Sequence, residues 1–452
     1  MNDLKLVYRD ISVLKSRDRN PRTHTKRQIE QIAESIKAFG FTNPILIDDH
    51  NVVVAGHGRL EAAKTLDHKE VPTIRLSNLN KDELRAYVIA DNRLAEKAGW
   101  DQEILAIELQ SLSELELDFD ITITGFDTPE IDILICNLDA DKEEGDDFDE
   151  IPEKTDSAVT RLGDVWQIGP NRLICEDSTK AETYAHLLQE EKAQLIFTDP
   201  PYNVPINGHV SGLGKNRHRE FSMATGEMSE AEFETFLSNV FENLTNHSDD
   251  GSIHFICMDW RHMGEVIAAG ERHYSTLKNL CVWAKSNGGM GSLYRSQHEL
   301  VFVYKSGTAK HINNVELGKH GRNRTNLWTY AGNSSFGKNR DADRAAHPTV
   351  KPVRLVSDAI LDCSDRGAIV LDAFAGSGST LIAAHKTGRL GYGIEIDPLY
   401  CDVIIDRLGQ SFGLSAHLLK TGESFDEVKV RREKEAELIA SESISEMEAT
   451  DV

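Results

Sequence analysis

QLIFTDPPYN, residues 194–203, decides how this chain is read. QLIFT is an apolar run of the kind that forms a buried strand in a parallel sheet. The two prolines after Asp199 remove two backbone donors and stiffen the chain. The strand therefore ends at Asp199, and Tyr202 follows on a rigid shelf. Open α/β sheets bind their ligands at the carboxyl ends of strands. A site built on Asp199 and Tyr202 is the expectation.

A second stretch, AIVLDAFAGSGST (368–380), runs from an apolar strand through Gly376 and Gly378 into a helix, LIAAHKTG. Glycines at such a turn let backbone approach a ligand, and a helix N-terminus favours polar or anionic groups. GYGIEID (391–397) then reads as a strand ending at Glu395, 23 residues after Asp372. An acid at that spacing matches an acceptor for ribose hydroxyls. Together these features predict an adenosine-bearing cofactor. From 159 to about 412, strand-like and helix-like runs alternate, which predicts a doubly wound α/β sheet.

Working outward, residues 1–135 read as a smaller α/β domain. Thr25-Lys-Arg-Gln28 has the form of a capping box, and apolar residues from Ile29 to Phe39 follow at helical spacing before Gly40. ILID (45–48) and VVVA (52–55) read as short strands, Gly58 as a helix start, and 80–98 as a longer helix. Residues 136–158 read as an acidic, flexible linker, and 413–452 as a charged tail, a frayed helix or disordered segment. No internal repeat is present.

The net charge is −24, yet residues 139–156 hold ten acids against two lysines, and 421–452 ten acids against four bases. Segment 310–354 holds nine Lys/Arg against three acids. Acidity held in tails and linkers does not exclude a nucleic-acid partner, and the basic segment favours one. Six scattered cysteines without a CxxC pair suggest a reducing cytosol and no disulfide framework, and no metal site is read. No stretch is apolar enough for a membrane span or a signal peptide.

DAFAGSGST, TDPPYN, LICEDST (173–179) and HPTVKP (347–352) resemble the motifs of amino-methylating DNA methyltransferases that use S-adenosyl-L-methionine. The proline motif precedes the glycine motif, and the order resembles that of the permuted beta class, which includes many bacterial and phage adenine-N6 enzymes. The resemblance covers about 160–410 and implies a Rossmann-like methyltransferase sheet, with a DNA-recognition insertion between about 205 and 345. It implies that Asp199 and the Pro200 carbonyl accept the hydrogens of the target amine while Tyr202 stacks on a flipped base. It also implies a cofactor held by Glu395 on the ribose, Asp177 near the adenine, Phe374, Gly376 and Gly378 on the methionine side, and Thr349 and Lys351 on its carboxylate. Asp372 counts with the cofactor-binding residues, either orienting the glycine loop or acting as a ligand. Arg295, His298 and Glu299 either line the site or form a salt-bridged strand edge; His347 packs or caps. For DNA phosphates the candidates are Arg295, Arg322, Arg324, Lys338 and Arg340, with Lys319 and Arg344, and segment 207–222 reads as a loop that closes on DNA.

Residues 7–75 resemble the ParB/sulfiredoxin-like fold, through NPR (20–22), SIKAFGF, NPILID and AGHGRLEAAKTL. The resemblance implies an anion or nucleotide site at Gly56 and Arg59, although His57 and Gly58 depart from the commonest form. No helix-turn-helix is read after it. The expectation is a cytoplasmic prokaryotic or phage-encoded enzyme, adenine-specific, acting on double-stranded DNA and a candidate homodimer, in a restriction-modification or related setting. Open alternatives are a cytosine-N4 DNA methyltransferase, an RNA or protein amide methyltransferase, and a ParB-like DNA-binding protein with an inactive methylase domain.

Overall fold

The computed structural model describes residues 4–17, 20–113, 115, 119–139, 148, 151–152, 157–203, 227–286, 293–317, 324–330 and 350–450. The chain divides into two compact units, Met1–Lys142 and Glu143–Val452.

The first unit runs β1 (Leu6–Asp10), α1 (Lys26–Phe39), β2 (Ile45–Ile47), β3 (Val53–Ala55), α2 (His57–Thr65), β4 (Glu70–Arg75), α3 (Lys81–Glu96), α4 (Gln102–Ser113) and α5 (Thr128–Asp139). Its sheet has the order β1-β4-β2-β3. Thr25 opens α1 by accepting the Gln28 amide at 3.1 Å, and Gly40 closes it at φ 78°. Ile45, Ile47, Val53, Leu60 and Val71 fill the core between sheet and helices.

The second unit runs β5 (Val165–Ile168), β6 (Asn171–Cys175), α6 (Ala181–Leu188), β7 (Ala193–Thr198), α7 (Glu230–Asn246), β8 (Ser248–Met258), α8 (Met263–His273), β9 (Thr276–Ala284), β10 (His298–Lys305), β11 (Leu327–Thr329), α9 (Val353–Cys363), β12 (Ile369–Asp372), α10 (Ser379–Lys386), β13 (Leu390–Glu395), α11 (Pro398–Phe412), β14 (Ala416–Leu418) and α12 (Phe425–Thr450). These build a ten-stranded sheet of order β11-β9-β10-β8-β7-β12-β13-β6-β5-β14. Its centre, β8-β7-β12-β13-β6, is parallel. Helices cover both faces, so these strands are apolar on both sides: β7 gives Leu195 and Phe197 to one core layer and Ile196 to the other.

At both boundaries the structure shows anchors that the sequence reading did not include. The helix α5 reaches Asp139, inside the stretch read as linker. Phe148, also inside it, stacks on Phe412 at 5.2 Å, and its carbonyl accepts from Arg407. The stretch read as a tail adds β14 to the sheet and then forms α12, pinned where Arg432 pairs with Asp164 (2.5 Å) and Phe425 meets Trp166. Charge density hid these anchors, because a few buried contacts outweigh a polar average.

Candidate active site

The carboxyl ends of β7, β12, β13, β6, β8 and β9 lie along one edge of the sheet. The start of the antiparallel β10 lies there too, with Leu300 facing Met258. The strand β7 delivers Asp199 to this edge, and β12 delivers Asp372. The Thr198 hydroxyl donates to Asp372 at 2.7 Å and accepts from the Ala373 amide at 3.2 Å, so the proline shelf and the glycine turn are tied together. Asn203 ends the shelf in a left-handed conformation (φ 50°), one that Asn tolerates better than most residues. Its amide group clasps Met228, donating to the carbonyl at 2.8 Å.

Asp199 belongs to a buried charged cluster. Lys351 donates to Asp199, lies 2.9 Å from Glu299, and donates to the Tyr202 hydroxyl at 3.1 Å. The Tyr202 hydroxyl is 2.7 Å from Asp199 and 3.1 Å from Glu299. Lys285, just beyond β9, pairs with Glu299. Both ammonium groups lie near the Trp283 ring, Lys285 at 4.7 Å and Lys351 at 5.9 Å. Two lysines thus face two carboxylates, which limits the cost of burying them. Burial works against the Glu299 charge, but Lys351 and Lys285 outweigh it and hold its carboxyl at about 2. Burial pushes the Asp199 carboxyl up, with Lys351 pulling against it and the Glu299 charge adding to the rise.

On the other side of the tie, Asp372 accepts from Thr380 (2.6 Å) and from the Phe374 amide (3.0 Å), which fixes the turn around Gly376 and Gly378. Burial raises its carboxyl to about 6. Arg407, buried on α11, braces the turn by donating to the Ser377 carbonyl at 2.8 Å. The Glu395 oxygens each accept one backbone amide, from Gly376 at 2.7 Å and from Asp397 at 2.9 Å. Burial lifts Glu395 to about 7. Cys175 pairs with Glu395 across β6 and β13, so Asp177 stands beside it, its carboxylate closing a turn on Thr179.

Residues 193–406 match the N6/N4 DNA methylase family, residues 3–93 the ParB N-terminal domain, and residues 103–162 the ParB-methyltransferase HTH domain. The chain joins an N6/N4 DNA methylase domain to a ParB-like N-terminal domain. The type II methyltransferase M.HpaI of Haemophilus parainfluenzae is 27% identical over 257 residues, 53% of this chain and 75% of that protein. The ParB-like nuclease domain-containing protein YnaK of Escherichia coli K12 is 48% identical over 80 residues, 18% of this chain and 92% of that protein. The crystal structure of the M1.HpyAVI-SAM complex superposes with TM-score 0.38 at 20% identity, covering 52% of this chain and 98% of that one.

The helix-turn-helix match corrects the expectation that none follows the ParB-like part. It spans α4 and α5. The signal was in the sequence: Asp120 caps a 3-10 turn, Gly125 takes φ 98°, and Asp127 opens α5 with Thr-Pro-Glu.

In the methylase domain the structure assembles Asp199, Pro200, Tyr202 and Lys351 on one side of the tie, and Asp177, Asp372, Phe374, Gly376, Gly378 and Glu395 on the other. Lys351 therefore stands with Asp199. Glu299, left open between two readings, is a member of the cluster, and Lys285 and Trp283, to which the sequence reading gave no role, join it. Arg324 is corrected: it is held by Asp358 (3.2 Å), Asp362 (2.9 Å) and the Tyr330 hydroxyl (2.8 Å), so it fastens β11 to α9 and is not a group facing DNA phosphates. Arg295 is exposed beside the edge. Arg322, Lys338, Arg340, Lys319, Arg344, His347, Thr349 and segment 207–222 lie outside the described residues. In the ParB-like domain Gly56 caps α2 at φ 98°, and Arg59 donates to the carbonyls of Asn43 (2.8 Å) and Pro44 (3.1 Å).

Proposed function

We propose that this methylase moves a methyl group from S-adenosyl-L-methionine to the N6 amine of an adenine in double-stranded DNA. One observation carries the reading: Asp199 and the Pro200 carbonyl stand at the end of β7, tied through Thr198 to the glycine turn that begins at Asp372. An exocyclic amine is a poor nucleophile, because its lone pair is delocalised into the ring. Two acceptors for its two hydrogens localise that pair. Asp199 and the Pro200 carbonyl supply both acceptors, and the base reaches them only by leaving the duplex. The Tyr202 ring offers it a stacking face.

Glu395 supports the cofactor assignment. Among the described residues each of its oxygens accepts one backbone amide, and burial holds its carboxyl near 7. A buried carboxylate with spare lone pairs suits two ribose hydroxyls. The glycine turn and Phe374 suit the methionine part, and the cofactor supplies an electrophilic methyl group on sulfur. An entering amine competes with Lys351 for Asp199, and Glu299 offers the ammonium a second carboxylate. Proton loss follows methylation, so Asp199 acts by orientation and charge. Held geometry of this kind can contribute about 7–11 kcal/mol.

The test is to express the chain, digest host DNA to nucleosides and analyse them by mass spectrometry. N6-methyladenine is expected. N4-methylcytosine would replace adenine by cytosine, and neither mark would sink the reading. The Asp199→Ala variant should lose the mark while binding cofactor as the parent does in calorimetry.

A further inference from the structure

We propose that Trp260 and Tyr294 form a stacking wall for the DNA strand that carries the target base, with Arg261 and Arg295 beside them for its phosphates. The inference rests on the methylation reading and extends it from the pocket to the rim. It starts from position. The strands β7, β8 and β10 are neighbours in the sheet. Asp199 follows β7, Trp260 follows the end of β8, and Tyr294 precedes the start of β10, all at the same edge. Neighbouring strands are about 4.8 Å apart. The three positions therefore lie beyond the ends of three successive strands, at the edge that carries Asp199. A base drawn into the Asp199 pocket brings its chain neighbours to this row.

Exposure points the same way. Trp260 is 50% exposed, Leu293 84% and Tyr294 85%. Large exposed apolar groups at the sheet edge that carries the Asp199 cluster suit an interaction surface. Trp260 is presented rigidly. Asp259 accepts the Arg261 amide at 3.0 Å, and His262 is fixed by Glu265 at 2.9 Å and by edge contact with Phe233 at 5.0 Å. The turn is anchored beneath while the indole stays out, which reduces the ordering cost of stacking.

The charge around the rings selects the occupant. The Arg261 guanidinium stands 5.9 Å from the Trp260 ring centre, and Arg295 adjoins Tyr294 in the chain. Rings that stack on bases, next to cations that meet phosphates, are the pairing used to hold nucleic-acid strands without sequence preference.

The test uses the full chain with unmethylated genomic DNA and radiolabelled S-adenosyl-L-methionine. Trp260→Ala and Tyr294→Ala should each raise KM for DNA about tenfold, the loss expected for one stacked base. Cofactor affinity by calorimetry should be unchanged, and Trp260→Phe should restore most of the loss. DNA addition should also quench tryptophan fluorescence in the parent, and Trp260→Phe should lose part of that quench. An unaltered KM in both alanine variants, or an equal quench in Trp260→Phe, overturns the wall while leaving the methylation reading standing. A parent chain that methylates no DNA overturns the methylation reading first, and the wall with it.

Discussion

Lys351 serves two carboxylates at once, and that sharing governs how freely Asp199 can meet an amine. Removing the Glu299 charge leaves the ammonium with Asp199 as its remaining buried anionic partner. Glu299→Gln should therefore lower single-turnover kcat by about 100-fold, the scale of a misplaced reacting group, with cofactor affinity intact. An unchanged kcat would dismiss Glu299 as a positioning residue. Glu395 gives a pH signature. Its carboxyl lies near 7 in the folded chain, against about 4.3 in an unfolded one. Between these values the folded state holds a proton that the unfolded state has released. The stability from Glu395 is thus complete below about 4.3 and is lost as pH rises through about 7. Hydroxyl donors prefer the charged form, a difference worth about 1 kcal/mol per bond. Cofactor affinity should accordingly tighten several-fold from about pH 6 to 8, and Glu395→Gln should flatten that profile in calorimetry.

Among the elements, the glycine turn and β11 make opposite predictions. Gly378 caps α10 at φ 84°, and a Cβ there would stand 3.0 Å from Ile404. Gly378→Ala meets both the left-handed penalty, about 1–2 kcal/mol, and that contact. It should lower the denaturation midpoint and weaken cofactor binding together. Arg324 makes a structural pair with Asp358 and Asp362, its side chain 21% exposed. Arg324→Ala should cost about 1–3 kcal/mol of stability, less than a fully buried pair, and leave KM for DNA where it was. A selective rise in KM would restore it as a phosphate contact. The glycine turn was legible because its role is local: φ and helix start are written in Gly-Ser-Gly-Ser. Arg324 was not, because its partners lie 34 and 38 residues away and nothing in a basic stretch says which cation is already paired.

At the scale of the chain, the division at Lys142–Glu143 and the anchoring of Phe148 predict where truncation is tolerated. A chain beginning at Glu143 should fold and bind cofactor. One beginning at Ala158 loses the Phe148 contacts to Arg407, Phe412 and Lys386, and with them support under the glycine turn. Its melting temperature should fall by several degrees, as about 1–2 kcal/mol does in a domain of this size. Equal melting of the two fragments would show that Phe148 contributes nothing. No helix among the described residues is long and apolar enough to cross a membrane.

Sequence alone determined the parallel sheet, the strand ends at Asp199, Asp372 and Glu395, and the glycine turn, because apolar periodicity, proline and glycine act through the backbone within a few residues. It also carried the ParB-like part, through the resemblance of its short motifs to that family. Only the tertiary structure decided that Lys351 meets both Asp199 and Glu299 while Lys285 pairs with Glu299, that Arg407 braces the turn, and that the charged C-terminal stretch folds onto the sheet. Those contacts join residues far apart in the chain. Which buried charges find one another depends on how strands from separate segments are laid side by side.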